Sequence, residues 1–378
     1  MPKVNVIYHH YPHYRRPVMH ELARNGRYEY EFWGSTEPVD GIVPYTGDET
    51  IKIRELSFKI RKGFWILGGY WPAVFDRSAR AIIILGNPNM LASWWMPLVA
   101  KVLGKKILFW THGWMRPEGR IKTGIRNFYF RLADHMLVYG TRSKVLGIAA
   151  HYPAEKITTI YNSLDHQRAR DLMSLISNDA DGVLRPKEMF SDASLPLIIC
   201  TARLIRECRF ELLLEAASIL SLRGRPVNVL LVGDGPEREN LKAVSEELNL
   251  NLRLFGACYD ETVLAQLIYH SDLTVSPGKI GLTVIHSLSY GTPAITHGDM
   301  NRQMPEAEAI IPGVTGAFFE CDSAVDLARV IAEWLSVQHN RDDVRAACFK
   351  VIADKWNPEN QRVLIERALD QTLGIKSD

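Results

Sequence analysis

Cysteine is sparse in this 378-residue chain, and what there is does not pair. Cys200, Cys208, Cys258, Cys321 and Cys348 are odd in number and form no C-x-x-C spacing. A disulfide framework and the usual zinc knuckles are thereby excluded, and reduced thiols in a cytoplasmic setting are expected. No run of about eighteen apolar residues occurs, so no spanning helix is expected. The chain opens directly in a strand-like segment, Val4-Asn5-Val6-Ile7-Tyr8, without the basic, apolar and small-residue succession of a secretory leader. Internal repeats and low-complexity segments are absent as well. Net charge is close to absent, +2, and no nucleic-acid partner is expected.

That near-neutrality conceals an asymmetry. Residues 1–165 carry 23 Lys+Arg against 13 Asp+Glu, and the remainder 22 against 30. A basic first half suggests an acidic ligand or surface there. Two stretches interleave cations with aromatics: residues 51–71, which hold Phe64, Trp65, Tyr70 and Trp71, and Arg120 to Leu132. As a helix, the second sets Ile121, Ile125, Phe128 and Leu132 against a basic rim, which suits an anionic membrane surface. A core-facing helix with a solvated back has the same pattern.

What is present, 47% hydrophobic and 23% charged residues, is enough for two globular domains. Segments alternate strand, loop, helix, which argues an α/β doubly wound sheet. Ala81–Leu85 and Lys106–Trp110 are the apolar runs of buried parallel strands. The second leads into Thr111-His112-Gly113, at the strand end where polar groups gather over a crevice. The first strand leads to His13-Tyr14-Arg15-Arg16, with Pro17 opening a helix. Two guanidiniums beside an aromatic could clamp a phosphate or a charged acceptor.

The stretch that organises the second half is Thr274 to Thr296, TVSPGKIGLTVIHSLSYGTPAIT. A strand closes near Val275, a tight loop follows through Gly278, Lys279, Ile280 and Gly281, and a helix begins at about Leu282. Gly291 and Pro293 end it. Unpaired amides at that helix start make an anion site. Upstream, Asn228 to Gly235, NVLLVGDG, reads as strand then Gly-x-Gly, with Pro236 at the helix start. As a dinucleotide fingerprint it is incomplete. Arg238 takes the third glycine position and no acidic residue follows about twenty positions on, which disfavours an NAD-dependent oxidoreductase.

These segments resemble family-4 glycosyltransferases of the GT-B fold, most specifically over residues 231–277 and more broadly over 197–320. Gly281-Leu282 and Gly291-Thr292-Pro293 match that family's donor loop; its two acidic positions fall on Gly278 and His286. Arg203 matches a phosphate-binding arginine, while the family's Lys-Gly pair falls on Cys208-Arg209, so Arg206 or Arg209 is expected to supply the second cation. Met304-Pro305-Glu306 resembles the family's Pro-Glu.

The resemblance implies a GT-B architecture of two Rossmann-like domains. The expected bounds are an acceptor domain at 1–165, a linker or partly helical connection at 166–195, a nucleotide-sugar domain at 196–350, and a terminal helix within 351–378 that returns to the first domain. It further implies transfer of a sugar from a nucleotide diphosphate sugar to a glycan or polyprenol-linked acceptor, with retention and without metal. No Asp-x-Asp motif that would hold Mg²⁺ or Mn²⁺ is expected in the sequence. The expected catalytic residues are His112 and Arg203. The expected donor contacts are Arg206, Arg209, Gly233, Gly235, Gly278, Lys279, Ile280, Gly281, Leu282, His286 and Glu306. His13, Tyr14, Arg15 and Arg16 are expected on the acceptor side. A peripheral position at the inner face of the membrane follows from the basic half. The alternatives from other classes are a catalytically inactive GT-B protein that binds nucleotide sugar, and an epimerase of the same fold.

Overall fold

The computed structural model describes residues 1–39, 43–177, 184–337 and 340–375. The chain divides into two compact units, residues 1–165 with 357–378, and residues 166–356.

In chain order the N-terminal unit begins with β1 (Lys3–His10), α1 (Arg16–Asn25), β2 (Glu29–Ser35) and β3 (Ile53–Glu55). A hairpin follows, β4 (Ser57–Arg61) and β5 (Phe64–Gly68), then α2 (Trp71–Phe75), β6 (Ala79–Leu85), α3 (Ala92–Val102) and β7 (Lys106–Thr111). It continues with α4 (Arg120–Phe130), β8 (His135–Val138), α5 (Thr141–Ala149) and β9 (Ile157–Thr159). Seven of these strands form one sheet in the order β3-β2-β1-β6-β7-β8-β9, every pair parallel. Parallel strands need both faces covered. In β6, Ile82, Ile83 and Ile84 are therefore all fully buried. Successive residues feed opposite cores, Ile82 and Ile84 one and Ile83 the other, and each burial is worth roughly 1.5–3 kcal/mol.

The C-terminal unit comprises α6 (His166–Ser177), β10 (Leu197–Thr201), α7 (Phe210–Leu222), β11 (Asn228–Val232), α8 (Arg238–Glu247) and β12 (Asn251–Gly256). Then come α9 (Glu261–Tyr269), β13 (Leu273–Ser276), α10 (Leu282–Ser289), β14 (Ala294–His297), β15 (Gly316–Phe319), α11 (Ala324–Ser336) and α12 (Arg341–Asp354). Its six-stranded sheet has the order β12-β11-β10-β13-β14-β15, again all parallel. The last helix, α13 (Pro358–Leu373), starts with an Asn357 side chain accepting from the Asn360 N–H at 2.8 Å and Pro358 in the first turn. Its Ile365, Ala368 and Leu369 join the N-terminal core. Tyr28 donates to Asp370 at 2.6 Å, and Ser163 to Gln361 at 2.6 Å.

The segment from residue 166, read as a linker or a partly helical connection, opens as helix α6. Ala169, Leu172, Met173 and Ile176, spaced to share one helix face, pack into a core of the C-terminal unit. The polar residues Asn178, Asp179, Asp181 and Gly182 of that reading lie outside the described residues. They include an Asp-x-Asp triplet, Asp179 to Asp181, which corrects the expectation that the sequence holds none. In the basic-aromatic stretch 51–71, Trp65 and Tyr70 pack inward, while Ile60, Phe64, Ile66 and Trp71 remain substantially exposed.

Helix α4 is turned outward. Ile121, Ile125 and Phe128 are 82%, 59% and 62% exposed, while Asn127, Tyr129 and Phe130 face the core. On neighbouring α3, Trp95, Leu98 and Val102 form a second exposed stripe. The two helices are joined by the Tyr129 hydroxyl donating to Ser93 Oγ at 2.6 Å. Among the described residues no helix is long and apolar enough to cross a membrane.

Candidate functional site

Each sheet has one place where strand order reverses, between β1 and β6 and between β10 and β13. In open α/β sheets the crevice beyond the strand ends at that point is where ligands bind. Both crevices hold residues singled out above.

In the C-terminal unit, the loop after β10 carries Arg203 and Arg206, both exposed, and neither guanidinium makes an ion pair among the described residues. This loop is held against two others by backbone contacts. The Leu204 N–H donates to Asp234 O at 3.0 Å, and the Gly278 N–H to Cys208 O at 3.1 Å. The tightness of that packing explains three glycines. A Cβ at Gly233 would stand 1.9 Å from Ala202 O, one at Gly235 2.3 Å from Leu204 O, and one at Gly278 2.2 Å from Glu207 O. Gly233 and Gly235, expected to let the backbone approach a nucleotide, permit a close approach of neighbouring loops, which brings Arg203 and Arg206 beside the start of α10.

Arg209 does not belong to the free cations. Its side chain is bound to Glu211 at 2.5 Å and to Asp322. Its backbone sits in the left-handed region, φ 54° and ψ 39°, which accounts for a glycine at this position in the resembling family. Burial raises the Cys208 thiol, so this residue adds no charge. That leaves Arg203, Arg206 and the exposed Lys279 as the cations of these loops.

The donor loop itself is braced from below. Gln303, 3% exposed, accepts the Ile280 N–H at 2.9 Å and donates to Thr296 Oγ1 at 2.8 Å and His297 O at 3.1 Å. Thr296 in turn donates to Ser276 O at 2.8 Å. Two of the four amides expected to face an anion, those of Gly278 and Ile280, are therefore consumed inside the protein. Helix α10 starts at Gly281 with no side-chain cap, unlike α9, where Asp260 accepts from Thr262 at 2.8 Å. Its first amides, around Leu282, are left for a ligand. Glu306 is buried, in a short 3₁₀ turn (Pro305–Ala309) that packs on α10.

His286 lies one turn into α10, and its Nε2 is hydrogen-bonded to Glu261 Oε1 at 2.8 Å. The nitrogen expected to accept a ribose hydroxyl is thus engaged, and the carboxylate of this region comes from α9. Tyr290 donates to the same oxygen at 2.5 Å. Burial opposes the charge on Glu261, but the His286 hydrogen bond and charge, then Tyr290 and the Arg168 charge, win and hold its carboxyl down to about 2. A depressed carboxyl contributes stability above its unfolded value of 4.5, and that contribution is lost as pH falls toward the folded value. Glu261→Gln is expected to lose about 1–3 kcal/mol at neutral pH. Its deficit against wild type should shrink between about pH 4.5 and pH 3, as read by thermal unfolding across pH. A deficit constant over that range would contradict the pairing.

In the N-terminal unit, a pocket of ≈ 410 Å³ opens at the β1/β6 reversal. Tyr14, Arg15 and His112 line it. His13 and Arg16, also expected there, do not: His13 is exposed, and Arg16 is turned toward Asp48 at 3.6 Å. The His112 ring lies 4.9 Å from that of Tyr139, tilted by 60°. The side chain is exposed at the pocket mouth, yet crowding and then the Arg15 charge push its pKa down to about 4, so near neutrality it offers a neutral imidazole. Among the described residues no group of three or more His, Cys, Asp or Glu side chains is placed to hold a metal ion.

With this geometry in view, residues 186–350 match the family described as Glycosyl transferases group 1. The chain has the GT-B fold. It superposes on Anabaena HepE solved with UDP at a TM-score of 0.69, covering 98% of this chain and 100% of the other at 15% identity. The lipopolysaccharide outer core galactosyltransferase WaaB gives 0.68, with 97% and 99% covered at 16% identity. An alpha-D-kanosaminyltransferase of Streptomyces kanamyceticus is 26% identical over 159 residues, 40% of this chain and 39% of that protein. The match to this curated relative thus spans well under half of its length.

Proposed function

We propose that the protein is a glycosyltransferase of the family-4 kind. It moves a hexosyl or deoxyhexosyl group from a nucleotide diphosphate sugar to a glycan or polyprenol-linked acceptor, with retention and without a required metal, in assembly of a surface polysaccharide. The observation that carries this reading is the pair of exposed arginines, Arg203 and Arg206, on a loop pinned by Gly278 to the uncapped start of α10. When the bond between the anomeric carbon and the diphosphate breaks, negative charge gathers on the leaving phosphate. Fixed guanidiniums, Lys279 and helix-start amides stabilise that charge more than they stabilise the intact donor, which lowers the barrier. The same cations do the work a divalent ion would otherwise do.

Support for a nucleotide sugar comes from HepE, which was solved with UDP and with UDP-glucose. WaaB, a lipopolysaccharide galactosyltransferase, supports a surface-glycan acceptor. Ribose recognition is assigned to the His286–Glu261 pair. The test is product analysis by NMR after incubation with UDP-, GDP- and dTDP-sugars and saccharide acceptors in the presence of a chelator. The anomeric configuration of the product should match that of the donor. An inverted linkage would overturn retention, and activity dependent on added metal would overturn the role given to the cations.

The outward faces of α3 and α4 support a peripheral position on the inner face of an anionic membrane. Apolar side chains exposed on two adjoining helices, flanked by Lys101, Lys122 and Arg131, suit the headgroup boundary. Sedimentation with anionic vesicles should show binding that weakens with salt. Phe128→Asp is expected to reduce it by about tenfold or more, since burying such a ring is worth roughly 1.5–3 kcal/mol. Binding unaffected by the substitution would remove α4 from the interface.

A further inference from the structure

Arg15 lies in the wall of the N-terminal pocket and is only 9% exposed. Its Nη2 donates to the Tyr139 hydroxyl, and its guanidinium carbon rests 4.7 Å from the Tyr8 ring centroid and 4.8 Å from that of Trp110. None of these partners carries a formal charge. Its Nη1 is buried with no hydrogen-bond partner among the described residues, and among those residues no aspartate or glutamate lines the pocket. An arginine cannot shed its proton, and the aromatic faces return only part of what desolvation of its charge costs. The other arginine of the lining, Arg126, is committed to Glu118 at 2.7 Å. Burial, then the neighbouring His10 and Arg15, push His9 down to about 3, so both His9 and His112 are neutral near pH 7.

A buried cation with no carboxylate beside it among the described residues is complementary to an anion. The remaining wall combines the rings of Tyr8, Tyr14 and Trp65 with the polar Asn87 and Thr111. Flat apolar faces with a few hydrogen-bonding groups suit a sugar ring, and the pocket has room for one. We propose that this pocket takes an anionic saccharide, a sugar unit bearing a carboxylate or a phosphate, with the negative group seated against the Arg15 guanidinium in the pocket wall. The choice of a saccharide rests on the transferase reading; the requirement for an anion rests on Arg15 alone.

The experiment compares binding of D-glucuronate, glucose 6-phosphate and glucose to the full chain by saturation-transfer NMR and tryptophan fluorescence. At least one anionic sugar should bind about ten- to a hundredfold more tightly than glucose, the range of a charge-assisted hydrogen bond. Which of the two does so distinguishes carboxylate from phosphate. The gap should close in Arg15→Met and persist in part in Arg15→Lys. Without ligand, Arg15→Met should melt no lower than wild type, because an uncompensated buried charge has been removed. Equal affinity of wild type for all three sugars would overturn the proposal, even if no variant folds. A gap that survives in Arg15→Met, or a lowered melting temperature for that variant, would overturn it too. Hydrolysis of nucleotide sugars, measured on the same preparations, reports on the transferase reading separately.

Discussion

Arg203→Ala is expected to weaken nucleoside diphosphate binding about ten- to a hundredfold, the roughly 1.5–3 kcal/mol of a charge-assisted contact to phosphate. The protein should remain folded, because this side chain is exposed and pairs with no carboxylate. Arg206→Ala should behave alike. Arg209→Ala is the informative control, since Arg209 is committed to Glu211 and Asp322; its loss should lower stability and leave diphosphate affinity near the wild-type value. Isothermal calorimetry on the three variants reads the difference. Affinity unchanged by both Arg203→Ala and Arg206→Ala, or lost only with Arg209→Ala, would contradict the assignment of cations.

A second large effect is expected from a residue that touches no ligand. Gln303→Leu keeps much of the side-chain volume but removes the acceptor of the Ile280 N–H and the donor to Thr296 and the His297 carbonyl. Each buried group left without a partner costs about 1–3 kcal/mol. A combined loss of roughly 2–4 kcal/mol is therefore expected for the C-terminal unit. Diphosphate affinity should fall with it by about tenfold or more, because the loop holding Lys279 and Gly281 loses its brace. Chemical denaturation and calorimetry together test this. A variant of wild-type stability and affinity would show that the loop is held some other way.

The strands were readable because a parallel sheet buried on both faces leaves uninterrupted apolar runs, as in Ala81–Leu85. Helix α10 was readable because Gly281 and Gly291-Thr292-Pro293 mark its two ends. Helix α6 left a usable signal, the spacing of Ala169, Leu172, Met173 and Ile176, which the polar residues just beyond it masked. The direction of α4 could not be read from pattern alone. The same periodicity serves a buried or an outward face, and packing of Asn127, Tyr129 and Phe130 decides between them.

Within the site, Arg203 was legible as a cation at a strand end. Arg206 and Arg209 could not be told apart, because Glu211 stands close to both in sequence and the second carboxylate that engages Arg209, Asp322, lies 113 residues away. Gln303 left no periodic signal, since its importance arises only where an amide, a hydroxyl and a carbonyl converge in space. The His286–Glu261 pair joins two helices 25 residues apart, so the carboxylate missing from the loop pattern was present in the chain but out of register.

The account stands on the claim that the cations beside α10 draw charge onto a leaving diphosphate, despite the substituted acidic positions. Release of nucleoside diphosphate from UDP-, GDP- and dTDP-sugars, followed with a chelator present, tests that claim most directly. The account predicts release from at least one donor, in proportion to protein, and its abolition in the Arg203→Ala/Arg206→Ala double variant. Binding of nucleoside diphosphate without release from any donor, with or without acceptor, would contradict it and leave a nucleotide-sugar-binding protein without transferase activity.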